Sequence, residues 1–272
     1  MVVRSYKSEV LSRLNDISTS FRVLEIGGVN FGSRSYPIHC INAVNHNPDG
    51  MNVFLSGGVH GEEPAGVYAL LEFFREKVFR YLHHFNFYAI PCLNPSGFEN
   101  NSRVNLYGEN INCSFTVPKP TQVVSIVKDF LGRGPGEYLF SIDMHEDAIE
   151  TRAKGFLPED YPEGFYLYEV SETRQDSIGR RVLSEIERRG VGVCKDVFIY
   201  DDKNDKGLLW TKGLKDPAYE DADTLEGYAQ HYTRHAFTAE TPTVWSLERR
   251  IEAHIHMLTA TLDDFLRNIK FD

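Results

Sequence analysis

Short runs of apolar residues alternate along the chain with segments in which apolar positions recur every three or four residues. The short runs are rich in Phe, Val, Ile and Tyr, which predicts buried β-strands at 52–56, 86–91, 138–145, 164–168 and 236–241. The longer segments predict helices at 1–20, 64–79, 121–131, 171–189 and 246–269. Pro64 lies at a first helical turn, where proline is favoured, and Gly132 and Gly190 follow two of the predicted helix ends.

The alternation of strands and helices predicts an α/β fold with a mostly parallel sheet. No repeat, low-complexity tract or Gly/Ser-rich linker divides the sequence, so we expect a single domain over residues 1–272. In such folds, ligand sites lie at the carboxyl ends of the strands. The residues that follow each predicted strand are therefore the first candidates for a catalytic or ligand-binding role.

The composition is typical of a globular protein that folds without disulfide support, since 42% of the 272 residues are hydrophobic and 25% are charged. The 29 basic and 39 acidic residues give a net charge of −10 without a basic stripe, which disfavours a nucleic-acid-binding surface. The sequence contains no apolar run of the roughly 20 residues that a membrane helix needs, and its first residues lack the apolar core of a secretory signal. The four cysteines are widely spaced and form no CxxC pair, so a cytoplasmic location is expected.

His60 and Glu63 follow the strand predicted at 52–56. A spacing of three residues in a turn or first helical turn lets the two side chains converge on one point. An imidazole nitrogen and a carboxylate oxygen suit zinc, and two histidines with one glutamate form a known catalytic zinc site. Because acidic residues are also favoured at helix N-termini, the pair alone leaves a structural role open.

His145 stands at the carboxyl end of the strand predicted at 138–145, and the nearby Asp143 could orient its imidazole. This histidine is a candidate third ligand, with a structural role at a strand end as the alternative. Glu146 and Asp147 are also possible ligands, which leaves a second metal ion conceivable.

Glu240 is a carboxylate within the apolar strand predicted at 236–241. Glutamate is depleted in strands and is costly to bury unless it is paired or near a metal. Beside a metal-activated water it would be a general base, whereas on an edge strand it would face solvent. The Asn-rich segment 94–115 has the features of an active-site loop, in which Arg103 could polarise a carbonyl or hold a carboxylate.

Five ordered motifs resemble those of the zinc carboxypeptidase family and of its relatives, the succinylglutamate desuccinylases and aspartoacylases. They are His60-Gly61-Glu62-Glu63, Asn94-Pro95-Ser96-Gly97-Phe98, Arg103-Val104-Asn105, Asp143-Met144-His145 and Phe237-Thr238-Ala239-Glu240. Each motif is short, so the specificity of the resemblance comes from their order over about residues 50 to 245.

The resemblance implies an α/β/α sandwich around a mixed, largely parallel eight-stranded sheet. It implies one zinc ion held by His60, Glu63 and His145, with Glu240 as general base for a zinc-activated water and Arg103 as the group that stabilises the oxyanion. The implied substrate is a small peptide or an N-acylated amino acid, with no nucleic acid and no membrane as partner.

The sequence departs from the family pattern in the run Asn110-Ile111-Asn112-Cys113-Ser114. Asn112 is retained as a candidate substrate-binding residue, whereas Cys113 stands where the family has the arginine that binds the substrate's terminal carboxylate. A thiol cannot supply a bidentate cation, so ordinary C-terminal exopeptidase specificity is not expected unless another cation enters. The candidates for that cation are Arg152 and Lys154, which are favoured, and Arg174, Lys203 and Lys206.

Three further features bear on the substrate. Asn110 replaces the aspartate that orients the first zinc histidine in the family, so support for His60 is expected to be neutral or to come from elsewhere. Tyr219 lies one residue from the position of a tyrosine that closes over the substrate in some relatives, and is a candidate for the same role or a loop residue without one. Segment 216–226 contains five acidic residues and no basic one, and would favour cationic groups if it borders the pocket, whereas Leu225 hints at an apolar wall.

Three functions are compatible with these features. The leading hypothesis is a zinc-dependent hydrolase of carboxypeptidase type that cleaves a peptide or amide bond. The alternatives are an N-acyl amino acid deacylase of desuccinylase/aspartoacylase type and a catalytically inactive zinc-binding homologue. An open cleft with several subsites favours a peptidase, whereas a small closed pocket favours a deacylase.

Overall fold

The computed structural model describes residues 4–44, 50–147, 161–174 and 177–268. Ten strands lie in this part of the chain: β1 (Arg22–Phe31), β2 (Arg34–Ala43), β3 (Met51–Gly57), β4 (Phe85–Ile90), β5 (Phe140–Asp147), β6 (Tyr166–Val170), β7 (Phe198–Ile199), β8 (Asp202–Lys203), β9 (Leu208–Thr211) and β10 (Ala236–Pro242). Eight of them form one sheet in the order β1-β2-β4-β3-β5-β10-β6-β9, and β7 pairs with β8. Four of the neighbouring pairs in the large sheet are parallel and three are antiparallel, which confirms the mixed eight-stranded sheet.

Helices flank this sheet on two sides. The α-helices of the described residues are α1 (Ser12–Ile17), α2 (Pro64–Glu72), α3 (Pro95–Asn100), α4 (Gln122–Gly132), α5 (Ile178–Arg188), α6 (Leu225–Ala229) and α7 (Leu247–Asn268), and none of these is long and apolar enough to cross a membrane. Phe237 of β10 packs near Phe140, which stacks on Phe265 of α7, whereas the Thr238 hydroxyl donates a hydrogen bond to Glu226 of α6. Successive side chains of a strand point to opposite faces, so α7 and α6 lie on opposite faces of the sheet.

The centre of the sheet determines where polar side chains can meet. β3, β5 and β10 are parallel, so their carboxyl ends lie at one edge. The register pairs Gly57 with Met144 and His145 with Glu240. The ends of three strands that are distant in sequence are thus side by side.

The predicted elements are largely confirmed. All five predicted strands are present, with ends that differ by at most two residues, and the helices predicted at 121–131 and 246–269 correspond to α4 and α7, with residue 269 outside the described residues. The helix predicted at 64–79 is α2 followed by a π-helical turn, Phe73–Lys77, and a 3₁₀ turn, Val78–Arg80. The helix predicted at 1–20 is a π-helical turn, Tyr6–Leu11, followed by α1, and residues 1–3 lie outside the described part of the chain.

One predicted helix needs a different start, and the strands β7, β8 and β9 were not predicted. The helix predicted at 171–189 begins only at Ile178, because β6 extends to Val170 and Ser177 caps the helix. The hairpin of β1 and β2 was not predicted. Its register shifts between Glu25 and Gly27, and such a bulge breaks the period of two that marks a strand in sequence.

Glu169 of β6 fixes the start of α5. Its fully buried carboxylate accepts hydrogen bonds from the backbone N–H groups of Ile178 and Gly179, both at 3.0 Å, and from the Ser177 hydroxyl at 2.6 Å. A side chain at position 179 would not fit, because a Cβ there would lie 2.7 Å from Glu169 Oε2. The carboxylate thus accepts hydrogen bonds from N–H groups that have no partner within α5, and its negative charge lies at the positive end of the helix dipole.

We expect Glu169→Gln to lower the free energy of unfolding by about 2–3 kcal/mol, because it removes charge-assisted hydrogen bonds and points an amide donor at other donors. Urea denaturation measures the change. Glu172→Gln is the control, since the Glu172–Lys215 ion pair is exposed and screened by solvent and should change the stability much less than loss of Glu169. Equal stability of the two variants would contradict this role of Glu169.

Candidate metal centre

His60, Glu63 and His145 converge at the carboxyl edge of the central strands. One potential ligand atom from each lies within 4.8 Å of the others, and all three residues are buried. The carboxylate of Glu63 lies between the imidazoles: its Oε1 is 2.8 Å from His60 Nδ1, and its Oε2 is 2.9 Å from His145 Nδ1. The predicted ligand set is therefore assembled in the fold.

Local sequence explains how the loop after β3 brings His60 and Glu63 to this point. Glu63 is the N-cap of α2, and Pro64 starts the helix with a residue that needs no N–H partner. Gly61 lies against α3 so closely that a Cβ there would be 2.0 Å from the Gly97 backbone. The loop is thus held between a helix start and a neighbouring backbone.

The two histidines are supported differently. His145 Nε2 lies 2.8 Å from Asp143 Oδ2, and the Ser56 hydroxyl donates to Asp143 Oδ1 at 2.8 Å. An Nε2–H that donates to Asp143 leaves the lone pair of Nδ1 free to bind a metal. His60 Nε2, by contrast, is buried and has no hydrogen-bond partner in the described residues. The Asn110 side chain contacts the Asn112 N–H and the Cys113 thiol instead.

The electrostatics of these three residues fit a cation. Burial acts to raise the pKa of Glu63, but the two imidazoles more than offset it and lower that pKa. Burial acts to lower the pKa of His145, but Asp143 and Glu63 raise it well above its usual value. Two imidazole nitrogens and a carboxylate are a donor set that zinc accepts, with positions left for water or substrate.

Glu240 and Arg103 are near this centre. In the parallel pairing of β5 and β10, Glu240 is opposite His145, so the two side chains share a face. Glu240 Oε2 is buried without a hydrogen-bond partner in the described residues, and burial raises the pKa of this carboxyl well above its usual value. Arg103 Nη1 lies 3.3 Å from Glu63 Oε1 and 3.7 Å from Glu62 Oε1, with its side chain 38% exposed. The arginine therefore reaches the centre from the solvent side.

Glu146 and Asp147 are not in the cluster of ligand atoms. The carboxylate of Glu146 accepts a hydrogen bond from the Ala65 N–H and forms an ion pair with Arg250. The carboxylate of Asp147 accepts hydrogen bonds from the hydroxyls of Tyr166, at 3.1 Å, and Tyr200, at 2.5 Å. Both side chains thus have partners of their own.

Asn112 and Tyr219 contact the segment around α6. Asn112 Oδ1 accepts a hydrogen bond from the Leu225 N–H at 2.9 Å. The Tyr219 hydroxyl donates to Glu226 Oε1 at 3.2 Å, and Thr238, two residues before Glu240, donates to the other oxygen of Glu226. Tyr219 is therefore connected through one carboxylate to the strand that carries Glu240.

A groove of about 900 Å³ lies beside the centre, along β6, β9 and the β7–β8 hairpin. It is lined by three tyrosines, one tryptophan, six acidic and two basic side chains, together with smaller residues: Tyr168, Tyr200, Tyr219, Trp210, Asp201, Asp202, Asp205, Asp216, Glu220, Asp221, Arg174 and Lys203. The metal-ligand candidates, Arg103 and Glu240 do not line it. Two of its tyrosines connect it to the centre, because Tyr200 donates to Asp147 of β5 and Tyr219 donates to Glu226. Asp216, Glu220 and Asp221, from the acidic segment 216–226, are among the residues that line this groove.

Among the candidate replacement cations, Arg174 and Lys203 line this groove, and Lys206 does not. Arg174 forms an ion pair with Asp205 at 2.6 Å. Arg152 and Lys154 lie outside the described residues. Cys113 is exposed.

Known protein families and solved structures include several to which this chain is similar. Residues 49–157 match the model of the succinylglutamate desuccinylase/aspartoacylase catalytic domain. This segment contains His60, Glu63, Arg103 and His145 but ends before Glu240. Comparison with curated protein sequences finds no significant match.

Several solved structures share the fold over almost the whole chain. A candidate metallopeptidase from Shewanella amazonensis SB2B is 18% identical with a TM-score of 0.73, over 93% of this chain and 91% of the other. A metallo-carboxypeptidase from Burkholderia cenocepacia is 16% identical with a TM-score of 0.65, over 95% of this chain and 68% of the other. A metallo-carboxypeptidase from Pseudomonas aeruginosa, solved in complex with (2-guanidinoethylmercapto)succinic acid, is 17% identical with a TM-score of 0.65, over 97% and 70%.

Fold and candidate metal site are both similar to those of metallohydrolases. The resemblance to zinc carboxypeptidases, with similarity to the desuccinylase/aspartoacylase branch, is confirmed by the family model and by the shared fold.

Glu226 provides a pH-dependent test of how this region is built. Burial raises the pKa of Glu226 from its usual 4.5 to about 7, although Thr238 and Tyr219 donate hydrogen bonds to it. The folded state therefore keeps a proton that the unfolded state releases. The stability from this proton is present below about pH 4.5 and is lost as the pH rises through about 7.

We expect Glu226→Gln, which cannot ionise, to gain stability relative to the parent as the pH rises from about 5 to about 8, by an amount on the order of 2 kcal/mol. Urea denaturation at several pH values measures it. Glu220→Gln, at an exposed position of the same segment, is the control. A stability difference that stays constant over this range would contradict the burial of an ionisable Glu226.

Proposed function

We propose that this chain is a zinc-dependent hydrolase that cleaves an amide or peptide bond. The observation that carries the proposal is the register of the central strands, which aligns Glu240 with His145 on one face of the sheet. His145 in turn is within hydrogen-bonding distance of Glu63, the carboxylate shared with His60. A metal site and a base of raised pKa on the same edge of one sheet are the components that water-mediated amide hydrolysis requires.

Each side chain of the candidate site has a specific role in this hydrolysis. Zinc held by His60, Glu63 and His145 would polarise the scissile carbonyl and make a water more acidic. Glu240 Oε2, which has no competing hydrogen bond in the described residues, accepts a proton from the attacking water and returns it to the leaving amine. Arg103, beside the centre and exposed to solvent, donates to the oxygen on which negative charge develops.

A second candidate function is deacylation of an N-acyl amino acid. It is favoured by the match of residues 49–157 to the desuccinylase/aspartoacylase catalytic domain. Both functions hydrolyse an amide bond. They differ in whether the acyl group of that bond belongs to a peptide. The groove has a volume of about 900 Å³, which is more than an acyl group alone would fill, and this favours the peptidase.

The groove also indicates the charge of the substrate. Its lining has six carboxylates against Arg174 and Lys203, and Arg174 is already paired. Burial and then the charge of the neighbouring Asp202 raise the pKa of Asp221, as expected for carboxylates without enough cations. Three tyrosine rings add surfaces that attract cations. The metallo-carboxypeptidase from Pseudomonas aeruginosa, which shares this fold, binds a ligand that carries a guanidino group together with two carboxyl groups. We therefore propose a substrate with a cationic side chain.

Glu240→Gln should retain metal and lose at least about 100-fold in turnover, because it keeps the shape of the side chain and removes the base. Metal content and the rate of amide hydrolysis are measured on the same preparation. Glu137→Gln, an exposed carboxylate, is the control and should leave both unchanged. Activity of Glu240→Gln within about tenfold of the parent would reject Glu240 as the base.

Substrate class and charge can be tested with one panel: peptides and N-acetyl amino acids that end in lysine, leucine or glutamate. We expect kcat/KM to be about tenfold higher for lysine than for glutamate compounds, and the preference to shrink at high salt. The double variant Asp202→Asn/Asp221→Asn should reduce the preference for lysine over glutamate. Asp129→Asn, at an exposed position that does not line the groove, should leave this preference unchanged. Preference for glutamate would contradict the cationic assignment, and hydrolysis of the acetyl amino acids alone would favour the deacylase. Peptides that carry a C-terminal amide test the expectation that Cys113 leaves no strong need for a free carboxylate.

A further inference from the structure

We infer that Glu146 is a positioning residue for the metal centre: it fixes the start of α2, which carries Glu63, against β5, which carries His145. The inference rests on the proposed metal site. It assigns a task to a buried acidic residue that binds neither substrate nor metal.

The alternation along β5 directs Glu146 away from the centre. His145 and Asp147 are on the face of Glu240, and Glu146 is on the opposite face, which α7 covers. There its buried carboxylate forms an ion pair with Arg250, a residue of α7 whose side chain is only 14% exposed. Arg250 of α7 thus balances the charge of Glu146, and the Glu146 carboxylate does not belong to the metal centre.

The same carboxylate is bonded to the beginning of α2. Its Oε1 accepts a hydrogen bond from the N–H of Ala65, in the first turn of the helix. This amide has no partner within the helix, and the anion lies at the positive end of the helix dipole. Ala65 is two residues after Glu63, so the bond restrains the backbone from which the ligand side chain extends.

The backbone of Glu146 completes the connection. Its N–H donates to Glu63 Oε2 at 3.2 Å, the same oxygen that lies 2.9 Å from His145 Nδ1. Glu146 therefore restrains Glu63 in two ways. The backbone N–H of Glu146 contacts the Glu63 carboxylate, and the Glu146 carboxylate holds the helix that follows Glu63. Movement of the Glu146 backbone would displace both Glu63 and His145.

Packing of α2 on β5 makes this position sensitive. Gly66, next to Ala65, approaches β5 so closely that a Cβ there would lie 2.6 Å from the carbonyl oxygen and the Cβ of Met144. The helix start cannot shift toward the strand, and the Glu146 carboxylate keeps it from shifting away. The spacing of two ligands on two different elements is thereby set.

Glu169 provides a matched control for a merely structural role. It too is a buried strand carboxylate that accepts hydrogen bonds from the first amides of a helix, α5. Neither β6 nor α5 carries a metal-ligand candidate. Loss of either carboxylate should destabilise the fold, but only loss of Glu146 should alter the metal centre.

The test uses the full chain, stripped of metal and then titrated with zinc against a chromophoric chelator, with the melting temperature of the metal-free protein measured alongside. Glu146→Gln and Glu169→Gln should both lower that melting temperature. Only Glu146→Gln should weaken zinc binding, by about 10–100-fold. Arg250→Lys, which keeps the charge and loses the planar fork, should weaken it by a smaller factor and applies if Glu146→Gln does not fold.

Unchanged zinc affinity in a folded Glu146→Gln or Arg250→Lys protein would overturn the inference, as would an equal loss in Glu169→Gln. If the parent chain itself binds no zinc, the proposed metal centre fails and the inference fails with it. If the parent protein binds zinc but hydrolyses no member of the panel, the proposed activity fails. The zinc affinities of the variants still test the role of Glu146, so failure of the activity and failure of the inference are distinguishable.

Discussion

The carboxylate of Glu63 between two imidazoles is the interaction on which the candidate site depends. Each of its oxygens contacts one Nδ1 atom, and the three side chains are buried where an unpaired charge would be costly. The two imidazoles come from a loop and a strand that are separated by 85 positions between His60 and His145. Nothing local in sequence holds them together, so the surrounding fold has to supply the geometry.

The fold supplies it through alternation and register. Along β5, Asp143, His145 and Asp147 face the site, whereas Glu146 faces α7. Polar side chains can therefore follow one another without competing for the same space. The parallel register then adds Glu240 to the site face from a strand nearly a hundred residues later. A shift of the register by one residue would turn Glu240 toward α7 and remove the base from the centre.

Much of this could be predicted from the sequence because the central strands are short and apolar, with polar residues near or just beyond their carboxyl ends. His60 and Glu63 follow β3, and His145 and Glu240 lie near the carboxyl ends of β5 and β10. Arg103 lies in the segment after α3. The hairpin of β1 and β2 escaped prediction because the bulge at Glu25 interrupts its period. The groove could not be predicted, because its walls come from separate elements, among them Tyr168, Trp210 and Asp221, that only the tertiary fold brings together. The partners of Glu146 are equally non-local, since Ala65 and Arg250 are far from it in sequence.

The two histidines are held in different ways, and the side chain of Asn110 contacts Asn112 and Cys113 rather than either imidazole. His145 is oriented by Asp143, but His60 has no comparable partner on Nε2 in the described residues. Its loop is instead restrained through the backbone, because Gly61 packs directly on Gly97 and its carbonyl accepts a hydrogen bond from Arg4 at 3.0 Å.

Arg4 extends this restraint to the arginine of the site. The same buried guanidinium is hydrogen-bonded to Asn101, a residue with positive φ that ends α3 two positions before Arg103. The N-terminal segment therefore connects the loop of His60 to the loop of Arg103. At His145 a carboxylate contacts the imidazole itself, whereas at His60 backbone packing and the Arg4 guanidinium restrain the loop that carries the imidazole.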